Sequence, residues 1–234
     1  MNAKDFCFKV FGFFFPNVCI SCGRIIEEGE HFCEDCKLTL LDIDAASACP
    51  YCGIEKPDCD CAYHIYYFNQ VASCFYNEGS AKNAVYRYKF SKKQHYAKTL
   101  SDIMVENVKE KFPGVEFDYV TAVPTSAGSF LKRGFDHSLL LAKNIGRSAK
   151  IPVKKGVIGC RPFVASQHTS GYKERFTNVR DKYFVKKRIK AENVLLVDDI
   201  KTTGATLDAV ARALLYSGAK HVYCVTLLCG TIAT

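Results

Sequence analysis

The sequence contains no apolar stretch long enough to span a bilayer, since the longest candidate, Phe6 to Phe15, falls well short of the ~20 residues a membrane helix needs. No small-residue cleavage site follows that stretch, so it is not read as a secretory leader. With no export signal, disulfides are the weaker account of the thirteen cysteines. No base-reading pair stands between the cysteine-rich region and the part that follows, which favours a site that binds over one that turns over. Apolar content is 48%, ordinary for a globular chain, which excludes disorder and fibrous folds. These absences leave a cytoplasmic protein without a transmembrane segment. Its 234 residues suffice for one substantial domain and a small accessory one.

Formal net charge is +8, which favours anionic partners. Phe6, Val10, Phe13 and Phe14 recur at helical spacing and predict a short helix capping a core, with a membrane-surface anchor as the alternative.

Eight cysteines fall between residues 19 and 61, as Cys19-x2-Cys22, Cys33-x2-Cys36, Cys49-x2-Cys52 and Cys59-x-Cys61. Two thiolates on a C-x2-C turn face one ion, and two such pairs complete a tetrahedral zinc site. Gly23 and Gly53 each follow such a turn, where a positive φ is often needed. Sequential pairing gives one ion to Cys19, Cys22, Cys33 and Cys36 and a second to Cys49, Cys52, Cys59 and Cys61; interleaved pairing, or a single occupied site, stays open. Four thiolates leave no position for water, so the zinc is expected to be structural. Cys7, Cys74, Cys160, Cys224 and Cys229 sit singly in apolar runs and are expected in the core.

From about residue 66 an α/β pattern begins, giving expected divisions of 1–65 and 66–234. Strands are predicted at Val71–Tyr76 and Asp118–Val123, and helices at Lys82–Phe90 and Tyr96–Phe112. Pro124-Thr125-Ser126-Ala127-Gly128 reads as a turn at a strand's C-terminal end, where ligand loops of open α/β sheets gather. Lys132 and Arg133 are read on a loop leading into a helix that runs to about Arg147. There they can neutralise a departing diphosphate, or form a solvated basic loop.

The most informative run is Asn193 to Asp208, NVLLVDDIKTTGATLD. Val194–Val197 reads as a strand buried on both faces and ending at the acids Asp198 and Asp199. A small-residue turn follows, then a helix carrying Leu207, Val210, Ala211, Leu214 and Leu215. Backbone N–H groups at such a helix start hold phosphate, Thr202, Thr203 and Thr206 add hydroxyls, and Gly204 allows close approach. Acids beside an anion site suit vicinal sugar hydroxyls or a hydrated magnesium on a diphosphate. The alternative is an ordinary strand-loop-helix whose acids cap the helix.

This run closely resembles the phosphoribosyl pyrophosphate motif of type I phosphoribosyltransferases. The resemblance implies that Asp198 and Asp199 contact the ribose hydroxyls and that Lys201, Thr202, Thr203, Gly204, Ala205 and Thr206 wrap the 5-phosphate. Pro124, Thr125 and Ser126 would lie at the diphosphate. Over nearly the whole chain the sequence is similar to the ComF family, a double zinc ribbon joined to a phosphoribosyltransferase domain. Arg133-Gly134-Phe135 matches that family's Arg-Gly-Phe-Asn-Gln run, which departs here at Asp136 and His137. Gln167, Arg175 and Asn178 match at the expected intervals, and Ser170 departs.

The resemblance implies a mainly parallel, twisted type I phosphoribosyltransferase sheet with a small N-terminal zinc ribbon. It also implies phosphoribosyl pyrophosphate with magnesium as ligand, and single-stranded DNA handling in natural transformation beside a competence helicase. Two functions stay open: a binding module, and an active phosphoribosyltransferase with a nitrogenous acceptor. In the second, Asp198, Asp199, Lys132 and Arg133 would be the catalytic residues. The segment Ile158–Asp181, with Phe163, Tyr172 and Phe176 among basic residues, reads as a lid or as a base-stacking surface. His168 within it is either a general base or a solvated histidine.

Overall fold

The computed structural model describes residues 17–55, 59, 61, 65–91, 94–161 and 182–230. The expected helix around Phe6–Phe14, and Cys7, Phe163, Gln167, His168, Ser170, Tyr172, Arg175, Phe176 and Asn178, lie outside these residues, as does the side chain of Lys132.

The first described part is built from two copies of one knuckle. In each, the chain turns back on a cysteine. Gly23 N donates to Cys19 O at 2.8 Å, and Gly53 N to Cys49 O at 2.8 Å. Gly23 and Gly53 have φ of 86° and 71°, as the sequence predicts, because the chain must reverse in the left-handed region. Helix α1 (Glu34–Lys37) carries Cys36.

The rest alternates strands and helices: β1 (Gln70–Tyr76), α2 (Gly79–Phe90), α3 (Tyr96–Lys111), β2 (Tyr119–Ala122), α4 (Ala127–Arg133), α5 (His137–Ser148), β3 (Ile158–Cys160), β4 (Tyr183–Val185), β5 (Ala191–Lys201), α6 (Ala205–Tyr216) and β6 (Ala219–Cys229). The main sheet has the order β1-β6-β5-β2, with every pairing parallel. Strands β3 and β4 form a separate antiparallel ribbon. Val194, Leu195, Leu196 and Val197 are wholly buried, because helices cover both faces of a parallel sheet. Leu195 and Val197 pack with Leu100, Met104, Leu141 and Ile145 of α3 and α5. Val194 and Leu196 pack with Leu207, Val210 and Leu214 of α6.

Three local readings change. Strand β5 does not stop at Val197: Asp198 pairs with Thr226 and Lys201 with Cys229, since long β6 keeps offering partners. The run after Pro124 is a turn only as far as Ser126; α4 begins at Ala127, so Lys132 and Arg133 stand on a helix that Gly134, at φ 78°, closes. Cys74, Cys224 and Cys229 are in the core, but Cys160 is half-buried and its thiol faces Arg161 O at 3.5 Å.

Candidate functional site

The C-terminal ends of β2 and β5 open onto a cleft of about 270 Å³. Its walls include Pro124, Thr125, Ser126, Arg133, Asp198, Asp199 and Thr206, brought together from three separate stretches of sequence. Lys201 to Ala205 are not among the walls. Lys201 is buried, its Nζ 3.4 Å from Thr202 O, beneath Gly204. Gly204 has φ 84°, and a Cβ there would stand 3.2 Å from the Tyr66 ring and 3.3 Å from Lys201 Cε, so this position needs glycine. Behind it Thr203 Oγ1 accepts from Ala205 N at 3.3 Å, opening α6.

The cleft adds Lys89, His137, Ser138, Lys182 and Tyr183, none of which the sequence motifs had marked as ligand-facing. Asp199 is buried and meets Lys89 Nζ at 2.8 Å through Oδ1 and His137 Nε2 at 2.6 Å through Oδ2. Burial pushes the Asp199 carboxyl up, but the hydrogen-bonding His137 and the Lys89 charge outweigh it and hold it below its ordinary value. Asp198 goes the other way. Burial, then the adjacent Asp199 charge, raise it to about 7, against a hydrogen bond donated by Ser138 Oγ at 2.9 Å. Neighbouring carboxyls in one low-dielectric pocket cannot both ionise cheaply, and the one with cations beside it keeps the charge.

Asp136 and His137, the two departures in sequence, each have a structural task. Asp136 caps α5, accepting from Leu139 N at 3.0 Å, and accepts from Thr125 Oγ1 at 3.0 Å, which ties the turn to the helix start. His137 lies 3.2 Å from Arg133 Nη1 on one side and beside Asp199 on the other. Arg133 in turn covers the Phe90 ring at 4.9 Å. Lys89 carried no signal in the sequence: it is one basic residue on an amphipathic helix, and only packing turns it inward.

The eight ribbon cysteines form two groups, Cys19/Cys22/Cys33/Cys36 and Cys49/Cys52/Cys59/Cys61, each with sulfurs within 4.8 Å of one another. Sequential pairing is therefore the arrangement present. Four thiols converging at that spacing fit a tetrahedral zinc.

A double zinc ribbon domain matches residues 10–66 and a phosphoribosyl transferase domain residues 161–232. The chain is 26% identical over 151 residues to the DNA utilization protein YhgH of Escherichia coli, 63% of this chain and 66% of that one, just under two thirds of its length. It is 26% identical over 211 residues to the competence protein ComFC of Streptococcus pneumoniae, 88% of this chain and 84% of that one. A solved adenine phosphoribosyltransferase overlaps at a TM-score of 0.37 and 18% identity, over 59% of this chain and 74% of that one. Two converging thiol sets ahead of a parallel sheet with paired acids at its C-terminal edge agree with the two domain matches: the chain joins a double zinc ribbon domain to a phosphoribosyl transferase domain and is similar over most of its length to a competence protein ComFC.

Proposed function

We propose that the cleft binds phosphoribosyl pyrophosphate, or a related ribose phosphate, in a protein that serves the handling of single-stranded DNA in the cytoplasm. The division into residues 1–65 and 66–234 is part of that reading. The observation that carries the ligand is the acid pair: two adjacent carboxyls at the sheet's C-terminal end, Asp199 buried and Asp198 half-buried, both lining the cleft. A sugar's vicinal hydroxyls are donors of the kind such oxygens require. Lys89, Arg133 and Lys182 around the acids favour a ligand with more than one negative charge. The oxygen donors of Asp198 and Asp199 also suit a hydrated magnesium carried by the diphosphate, which would neutralise that group when bound.

The DNA half draws on the names of the relatives, one a DNA utilization protein and one a competence protein, and on the +8 charge. A competence helicase belongs to the same reading as partner. Transfer to a nitrogenous acceptor is the second reading, favoured by Arg133, which lines the cleft 3.2 Å from His137 and can meet a departing diphosphate there.

Calorimetric titration of phosphoribosyl pyrophosphate with magnesium into the zinc-loaded chain tests the ligand. Saturable binding that Arg133→Ala and Thr206→Ala weaken, and that an Asp198→Asn, Asp199→Asn variant loses, is expected. A folded wild type that shows no heat of binding sinks the reading. Screening acceptors for diphosphate release then separates binding from turnover.

A further inference from the structure

A second concave site lies behind the cleft, between the β3–β4 ribbon and the end of α6, with a volume of about 260 Å³. Its walls are aromatic and cationic: Tyr183, Phe184 and Tyr216 with Arg161 and Arg212, and no acid among them. Arg161 lies over the Phe184 ring at 5.6 Å and Arg212 over the Tyr216 ring at 5.2 Å. A guanidinium held over a ring by cation–π attraction can still present N–H groups to phosphate oxygens. Phe184 is 38% and Tyr216 70% exposed, although Phe184 lies over Gly159 and Tyr216 meets the Tyr67 ring at 6.1 Å.

The surroundings carry one sign of charge. Residues 150–161 and 182–190, which the ribbon brings side by side, hold nine lysines and arginines and no acid. A solvated basic surface would explain the lysines. It does not explain exposed rings set in a hollow among them. Rings that offer faces to a flat ligand, with guanidiniums at their sides and a wide positive field around them, are the components with which proteins hold unpaired nucleotides.

We propose that this hollow binds one nucleotide unit, its base against Phe184 or Tyr216 and its phosphate on Arg161 and Arg212. The unit comes either from a free mononucleotide or from a single strand running along the basic ribbon. Base contacts through ring faces are tolerant of sequence, so no strong base preference is expected. Tyr183 lines both this hollow and the phosphoribosyl cleft, so one ring separates the two ligands. The inference deepens the DNA half of the proposed function and needs nothing from the phosphoribosyl half.

The test uses the full zinc-loaded chain with a fluorescent oligodeoxythymidylate, read by anisotropy, and deoxythymidine monophosphate, read by calorimetry. Phe184→Ala with Tyr216→Ala is expected to weaken oligonucleotide binding roughly tenfold to a hundredfold. Arg161→Gln with Arg212→Gln is expected to weaken it and to lower the salt dependence by about one to two phosphate contacts. Both pairs are surface changes, and an unchanged melting temperature and zinc content show that the fold persists. Mononucleotide binding as tight as that of the oligonucleotide identifies the free nucleotide as the source; much tighter oligonucleotide binding identifies the strand. Oligonucleotide binding that neither variant pair alters overturns the hollow as the site while leaving the DNA reading standing. No binding of either probe overturns both.

Discussion

His137 Nε2 stands 2.6 Å from Asp199 Oδ2, linking the start of α5 to the end of β5 at the floor of the cleft. The same carboxylate takes Lys89 from α2 at 2.8 Å. Three elements therefore meet on one buried acid. Asp199 holds the site together before any ligand arrives, whereas Asp198, raised to about 7, is the member of the pair left to respond to pH.

Stability should fall as pH rises between about 4 and about 7, because the unfolded chain releases the Asp198 proton near the ordinary carboxylate value while the native chain keeps it to about 7. Native protein binds more protons than unfolded protein in that window, so the slope is negative; above it the penalty is constant. Asp199, held low, contributes with the opposite sign and only as pH falls below its ordinary range. Urea midpoints across pH should show the slope in wild type and lose it in Asp198→Asn. Ser138→Ala removes a hydrogen bond to the ionised form and should move the upper end of the window to higher pH. An Asp198→Asn profile that keeps the slope would reassign it.

Asp199→Asn should cost about 3–5 kcal/mol, since it leaves Lys89, 14% exposed, and His137 facing a neutral group in a buried pocket. For a chain of 234 residues that corresponds to a fall in melting temperature of roughly 6–20 °C. Adding Lys89→Met should recover part of the loss, because an apolar side chain carries no unpaired charge. A double variant no more stable than Asp199→Asn alone would argue against the pair as the cause.

Replacing Gly204 with alanine should destabilise the chain by about 1–2 kcal/mol, from the left-handed φ of 84° and from the approach of the new Cβ to Tyr66 and Lys201. Ligand affinity should fall as well, since the change lies at the start of α6 beside Thr206. Thermal scans with and without phosphoribosyl pyrophosphate separate the two effects.

Metal analysis should return two zinc ions per chain, one for each thiol group. Cys22→Ser should reduce the total to one, because the second group shares no ligand with the first. Chelation should also loosen the end of β6 and of α3, where Cys229 Sγ donates to Cys52 O at 3.4 Å and Lys111 Nζ donates to Ala45 O at 2.5 Å and Ala48 O at 2.7 Å. Wild type that keeps its melting temperature after metal removal would show that the ribbon and the sheet are uncoupled.

Local sequence was enough for β1, β2 and β5, for most of the helices that cover the sheet and for the presence of paired thiols, but not for the β3–β4 ribbon, β6 or α4. Val194–Val197 reads as a doubly buried strand and C-x2-C turns followed by glycine as knuckles that reverse the chain, while the pairing of the thiols was settled only in the folded chain. Strand ends were harder. Whether β5 continues through Asp198 to Lys201 depends on how far β6 runs beside it, and a carboxylate pair gives no local sign of being in a ladder. The turn after Pro124 became a helix early for a similar reason: Ser126 O found Phe130 N one turn on.

Sequence by itself determined which residues could do chemistry here: paired acids before a threonine-glycine turn, and eight thiols in four pairs. Side-chain type and spacing set those capacities, and neither depends on distant contacts. Tertiary structure alone decided which acid is charged and which residues surround it. Lys89 and His137 reach Asp199 from positions more than sixty residues away in the chain, and Phe184 meets Arg161 across a two-stranded ribbon. Electrostatic energy depends on distance and burial, and those exist only once the chain is folded.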